Sequence, residues 1–340
     1  MVVLERMVPL VILMLDALLR RINHNHPKRK EIEEAYRTHK AGYNGEKSVD
    51  YYMNFLDEGK FQIFKGIRLP NKEFHFQIDT LIITPFFAII LEIKNWGGEI
   101  YFDKDFCQVY QEKDGKTNTY QNPVSQAILQ KMHLKEWLRR NKFPDLPIEF
   151  LVVMSNTSSR LKSDPGYYEV FQKVLHSIRL LEKIAQIEKK YKQEVISENV
   201  MKKLKKTLLK KNTPLRPDIL KNFEISPTAI IPGIQCPTCH TYSMKLYYGK
   251  SRCQTCKTIS KTAPFLAITD YFLLCANTLT NQDIKSFLKT TTSSQTYFLL
   301  QKMNLQITGT NKGRVYSLPL DYDFEKNTSQ NSITAYSKQD

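Results

Sequence analysis

The stretch that most constrains how this chain can fold is Phe76 to Trp96, FQIDTLIITPFFAIILEIKNW. It reads as two apolar strands joined by a tight turn at Pro85-Phe86. Both are rich in Ile, Leu, Phe and Thr, as buried or half-buried strands are. Asp79, Glu92 and Lys94 interrupt them, and charges inside strands this apolar need a reason. A symmetric turn pairs Thr84 with Phe87. Counting outward, it sets Asp79 opposite Glu92 and Gln77 opposite Lys94. Residues two apart on a strand share a face, so Gln77, Asp79, Glu92 and Lys94 are expected to form one polar patch. Directly opposed carboxylates repel unless a cation sits between them. Paired hard oxygen ligands suit Mg²⁺ or Mn²⁺. A lysine beside them could hold or deprotonate a water and offset charge on a phosphate. A solvated salt bridge on an edge strand would use the same residues.

Four motifs occur in order around this hairpin: Gly42-Tyr43-Asn44-Gly45-Glu46, Gln77-Ile78-Asp79, Glu92-Ile93-Lys94-Asn95 and Asn122-Pro123-Val124-Ser125-Gln126. Together they resemble the nuclease-related domain (NERD), a branch of the PD-(D/E)XK nuclease superfamily, over roughly residues 40 to 160. A lone ExK is a weak signal; four motifs in order are specific. The resemblance implies a mixed α/β (α+β) core with a central sheet flanked by helices. It also implies a metal-dependent nuclease acting on nucleic acid, DNA first. Asp79 and Glu92 would hold Mg²⁺ or Mn²⁺, and Lys94 would serve the attacking water. Glu46 would reach the site from a helix, with Gln77 and Gln126 close by. Read from the residues alone, Glu46 is equally an ordinary first-turn glutamate favoured by the helix dipole, with Asn44 as the cap. Gln126 is equally a surface glutamine.

The net charge of +16, from 50 Lys+Arg against 34 Asp+Glu, points to a polyanionic partner, nucleic acid before an anionic membrane. Six cysteines in 340 residues are too few for a disulfide scaffold; their spacing suits metal and a reducing cytoplasm. The apolar run Met7 to Leu15 is too short to span a bilayer. It is expected to be an amphipathic helix packed on a domain, with residues 31 to 40 a further exposed helix.

Residues 60 to 69 read as a first strand and Glu99 to Phe102 as a short one. A hairpin turns at Asp114-Gly115. A helix follows with Asn122 as cap and Pro123 at its first position. Ile148 to Met154 reads as a buried strand, and Phe171 to Ile187 as a helix. Lys189 to Lys211 is a lysine-rich helix, either a solvated face or a phosphate contact. Cys236-Pro-Thr-Cys239 and Cys253-Gln-Thr-Cys256 can close a tetrahedral, structural Zn²⁺ site, and resemble the zinc ribbon at the ends of topoisomerases. Cys107 and Cys275 read as buried free thiols.

Beyond the cysteines, three helices and a hairpin resemble a winged helix. Thr280 caps the second helix, and Ser293 or Ser294 the third. Gln295, Thr296, Gln301 and Lys302 are candidates for the major groove, with Lys312 and Arg314 on the wing. The expected divisions are an N-terminal helical segment (1–39), a nuclease-like domain (40–188), a basic helical linker (189–232), a zinc ribbon (233–262), a winged-helix-like module (263–322) and a disordered tail (323–340).

Overall fold

The computed structural model describes residues 1–247, 250–319 and 322, with only the backbone of Lys312. The expected tail, residues 323–340, lies outside these. The chain forms two compact units: residues 1–9 with 37–215, and residues 10–36 with the described part of 216–340.

From the N-terminus come β1 (Val2–Leu4), α1 (Leu10–Arg21), α2 (Arg29–Met53), β2 (Gln62–Asn71), β3 (Phe74–Ile83), β4 (Ala88–Lys94) and β5 (Glu99–Phe102). Then follow β6 (Gln108–Lys113), β7 (Lys116–Gln121), α3 (Pro123–Arg140), β8 (Ile148–Met154), β9 (Arg160–Ser163), α4 (Tyr168–Lys173), β10 (Val174–His176), α5 (Leu180–Lys190) and α6 (Glu198–Lys211). The remainder is α7 (Ile219–Asn222), β11 (Met244–Tyr247), β12 (Lys250–Cys253), β13 (Ile259–Ser260), α8 (Ala263–Leu274), β14 (Thr278–Thr280), α9 (Asn281–Leu288), α10 (Ser293–Lys302), β15 (Gln306–Thr308) and β16 (Val315–Ser317).

The first unit is built on a six-stranded sheet ordered β1-β2-β3-β4-β8-β10. Its β2-β3-β4 meander is antiparallel, and β8 runs parallel to β4. The turn at Pro85-Phe86 forms as expected. The Thr84 amide donates to the Phe87 carbonyl at 2.9 Å, and the Thr84 hydroxyl oxygen accepts from the Phe87 amide at 3.0 Å. The ladder therefore runs Ile83↔Ala88 to Thr80↔Leu91.

Alternation along β4 feeds two cores. Ala88 and Ile90 pack with Val124, Leu134 and Leu204 of α3 and α6; Ile89, Leu91 and Ile93 pack with Val49, Met53 and Ile184 of α2 and α5. By the same period, Glu92 and Lys94 fall on the α3 side. A second sheet, β7-β6-β5-β9, flanks the first within this unit, with its hairpin turned at Asp114 and Gly115, both left-handed. The result is a mixed α/β unit with mixed sheets flanked by helices, as expected.

Several expectations of the local fold change. Residues 31 to 53 do not divide into two helices, because α2 runs unbroken through Gly42 and Gly45. Gly45 is there for close approach: a Cβ would lie 2.5 Å from Asn95 Cβ and 2.7 Å from Ser155 Oγ. Residues 171 to 187 are not one helix; β10 interrupts them by joining the sheet edge beside β8. The lysine-rich α6 is no linker, since Met201, Leu204 and Leu208 are buried in the first unit's core. The N-terminal segment is divided, with β1 on the sheet and α1 in the second unit's core. Cys107 and Cys275 are exposed, not buried.

In the second unit, α1 and α8 pack together around the buried Arg21. Its Nε donates to Asp270 at 2.8 Å and its Nη1 to the Gly233 carbonyl at 2.7 Å. No helix among the described residues is long and apolar enough to cross a membrane.

Candidate active site and cysteine cluster

The β3-β4 ladder stops one residue short of Asp79 and Glu92. Asp79 Oδ2 instead accepts a 2.8 Å hydrogen bond from the Ile93 amide, so a side chain takes the place of the next backbone partner. On its other side, Asp79 faces Gly66, whose φ of +66° breaks the β2-β3 pairing between Lys65↔Thr80 and Ile67↔Ile78. The register is the same on either side, so the break is a single missing pair with no residue inserted. Gln77 lies beyond the last pair of the β3-β4 ladder and does not pair with Lys94. It is exposed and pairs with Arg68 of β2, while Lys94 pairs with Met154 of β8.

Glu92 is buried, and both its oxygens are engaged. Lys94 Nζ lies 2.7 Å from Oε1, and Gln130 Nε2 donates to Oε2 at 2.6 Å. Gln126 does not reach the site this way, bonding instead to Gln121 at 3.3 Å. Gln130, one turn further along α3, makes the contact expected of it. The signal was available, because i and i+4 lie on one helix face.

Glu46 comes from the middle of α2 rather than its first turn, so the dipole explanation lapses. It pairs with Nη1 of Arg6, a residue that the sequence reading missed. Arg6 is only 4% exposed and uses its whole fork. Nε and Nη2 grip Asp50 at 2.9 and 3.0 Å, and Nη2 also donates to the Asp79 carbonyl at 3.0 Å and the Thr80 hydroxyl at 2.9 Å. One guanidinium thus ties the N-terminal segment, α2 and β3 together beside the carboxylates.

The electrostatics follow from crowding. Burial, then the charges of Glu92 and Glu46, push Asp79 well above the carboxylate range, against the pull of the Ile93 amide and Lys94. Burial also lifts Glu46; Arg6 opposes this, while Asp50 and Glu92 add to it. Such a surplus of negative charge favours a bound cation. The donors are hard oxygens, and buried Gln130 Oε1 beside Glu92 has no hydrogen-bond partner. This donor set fits Mg²⁺ or Mn²⁺.

The cysteines form a more compact group. Among the described residues, Cys236, Cys239, Cys253 and Cys256 alone form a set of three or more such groups whose ligand atoms all lie within 4.8 Å of one another. Cys236 to Cys256 and Cys239 to Cys253 are each 3.5 Å between sulfurs. A Zn–S bond of about 2.3 Å implies a tetrahedral edge of roughly 3.8 Å, so the set is compatible with zinc.

Its two knuckles repeat one design. The Cys236 amide donates to Thr241 O and the Cys253 amide to Thr258 O, both at 2.8 Å. A left-handed residue follows each second cysteine, His240 and Lys257. The hydrogen bond from Ser243 brings the Cys253 thiol down to about 5, whereas burial pushes Cys236 up to about 11.

Among the C-terminal candidates, Gln301 and Lys302 are exposed and Gln295 half-buried. Thr296, expected among the exposed residues, is fully buried, and its hydroxyl bonds to Ser293 O at 2.9 Å and to Asn281. Tyr297 and Phe298 are the exposed large hydrophobic side chains of α10, with Lys302 Nζ 4.2 Å from the Phe298 ring centroid. Arg314 bonds to the Tyr297 hydroxyl at 3.3 Å, and the side chain of Lys312 lies outside the described residues. Thr280 caps α9 with Asp283 in a reciprocal box, whereas α10 starts after Thr292 rather than with Ser293 or Ser294 as its cap. The strand β14 was not expected; it completes a sheet ordered β14-β16-β15.

Comparison with known proteins agrees with the first unit. The family model of the nuclease-related domain matches residues 41–155, about a third of the chain. No curated protein and no solved structure matches the chain. The match supports a nuclease-related domain between α2 and the end of β8.

Proposed function

We propose that the first unit is a metal-dependent nuclease that hydrolyses phosphodiester bonds, DNA before RNA. The observation that carries this reading is the gathering of Asp79, Glu92, Lys94 and Glu46 beside one another within the segment that matches the family. Asp79 and Glu92 would hold Mg²⁺ or Mn²⁺. A bound divalent cation would polarise the phosphate and lower the pKa of a bound water. Lys94, held by Glu92, positions the water and offsets charge on the phosphate. Glu46 would accept a proton from that water. Arg6 keeps Glu46 in place, and Gln130 orients Glu92.

In this reading the four cysteines hold a structural Zn²⁺, which suits a reducing compartment such as the cytoplasm. The three helices and hairpin of residues 263–319 act as a winged helix, with Gln295, Gln301, Lys302 and Arg314 facing DNA and Thr296 withdrawn from the set. The second reading, a non-catalytic DNA-binding protein with the nuclease fold as platform, rests on one observation. The carboxylates lack the tight convergence of the cysteines.

Linear, nicked, branched and single-stranded DNA, and RNA, incubated with Mg²⁺ or Mn²⁺ separate the two. Cleavage by the parent, lost in Asp79→Ala and Lys94→Ala with DNA retention intact, supports the nuclease. Cleavage surviving in Lys94→Ala removes its role. DNA bound but never cut by the parent supports the platform.

A further inference from the structure

Beside Lys94 lies a feature that phosphodiester chemistry does not require. Lys94 Nζ sits 5.7 Å from the Trp96 ring centroid. Trp96 in turn stacks on Tyr120, with centroids 4.9 Å apart and planes at 22°. Tyr120 is the outer ring of this pair. It is 37% exposed and stands on β7, an edge strand with all six residues exposed.

The ring is nevertheless held. Gln111 is buried, and its Nε2 donates to the Gly97 carbonyl at 2.8 Å while its Oε1 accepts from the Tyr120 hydroxyl at 3.1 Å. One amide therefore locks the loop after β4 to the exposed ring. The Lys113 ammonium lies 4.0 Å from where a Cβ of Gly97 would be, placing a cation beside the same loop.

A fixed aromatic pair with Lys94 beside its inner ring and Lys113 beside the adjoining loop matches the pattern by which proteins take an unpaired nucleotide: the base stacks and the phosphates meet lysines. We propose that Trp96 and Tyr120 form a stacking platform for an unpaired nucleobase beside Lys94, so that the site prefers single-stranded or flap-like nucleic acid over blunt duplex. A paired base has both faces occupied by its neighbours and gains nothing from the ring. The proposal rests on the reading of Lys94 as the centre of phosphodiester chemistry, yet its binding step requires no turnover.

The test is therefore made without added divalent metal, on the full chain, with a single-stranded deoxyuridine oligonucleotide, its uridine counterpart and a blunt duplex. The two tryptophans make it readable, because Trp137 is buried against Phe143 and gives a constant background. The single strand should quench Trp96 emission. Tyr120→Ala should lose about tenfold in single-strand affinity with duplex affinity unchanged, and Tyr120→Phe should keep most of it. Unchanged Trp96 emission, or equal single-strand affinity in parent and Tyr120→Ala, overturns the platform whether or not the protein cleaves. Platform behaviour without cleavage in Mg²⁺ would leave the platform standing and remove the nuclease. Equal response to both oligonucleotides assigns recognition to the base and phosphate; a response to one alone assigns it to that sugar.

Discussion

The carboxylate site and the cysteine cluster are opposite solutions to gathering reactive groups. The cysteine cluster is made twice from one short loop, and each loop carries its own hydrogen bond, left-handed residue and two ligands. The carboxylate site is made once from distant pieces: Arg6, Glu46 of α2, Asp79 of β3, Glu92 of β4 and Gln130 of α3. The first is specified locally and is compatible with zinc; the second exists only when the whole sheet is assembled. The difference predicts how each fails.

The largest effect belongs to the cysteines. Cys253→Ser, or a strong chelator, should remove a bound zinc and unfold the β11–β13 module, a loss on the order of 10 kcal/mol in zinc-dependent modules. Metal content and the melting profile measure it. A fully folded, metal-free module would end the comparison, since the loops would then hold themselves.

Next comes Arg6. Arg6→Ala takes the guanidinium from half-buried Glu46 and Asp50, leaving Asp50 with Lys65 at 3.9 Å, and should cost somewhat less than the ~3–5 kcal/mol typical of a fully buried pair. Arg6→Lys should recover little because an ammonium lacks the fork. Urea denaturation of the parent and both variants reads this directly.

Gly45 and Gly42 make a smaller, paired test. Gly45→Ala should cost about 1–3 kcal/mol through overpacking against Asn95 and disturb Glu46. Gly42→Ala, with open space around it, should gain about 0.5–1 kcal/mol from helix propensity. Equal effects at the two glycines would show that close approach is not what Gly45 serves.

A further effect concerns a carboxylate that is the foil to Asp79. Desolvation acts to raise Glu149, but hydrogen bonds from Lys173, Lys190 and Tyr191 outweigh it and bring it down to about 2. A folded pKa below the unfolded value of 4.5 means its stabilisation is complete above pH 4.5 and fades as pH falls toward 2. Glu149→Gln should flatten that acid limb by about 1–2 kcal/mol, after allowance for solvent screening. An unchanged limb in acid denaturation would show that the charges around Glu149 carry no net stabilisation.

The same contrast explains what the sequence made legible. The hairpin register could be counted from Pro85-Phe86 because local turn chemistry sets it, and the CxxC pairs could be read from spacing. Arg6 could not: its hydrogen bond to Asp79 O spans 73 residues, and no local pattern marks it. A helix start capped by Asn44 was expected here because glycines flanking a cap and a glycine at a close contact look alike without the neighbouring strand. Thr296 was misplaced because a short helix offers too few turns to fix its buried face by periodicity alone. The division of the N-terminal segment between two units was hidden for the same reason as Arg6, since the partners of α1 lie beyond residue 216.

The burial of the Arg6 fork also separates two responses to ionic strength. Mobile ions screen charges that water reaches, over about 10 Å at 0.1 M salt, but they do not enter a guanidinium cage closed by Asp50, Glu46 and Thr80. Raising salt should therefore strip nucleic acid from the lysines of the surface while the geometry around Asp79 stays as it was. A salt titration of this protein accordingly reports on capture of the polyanion and leaves the carboxylate architecture out of the reading.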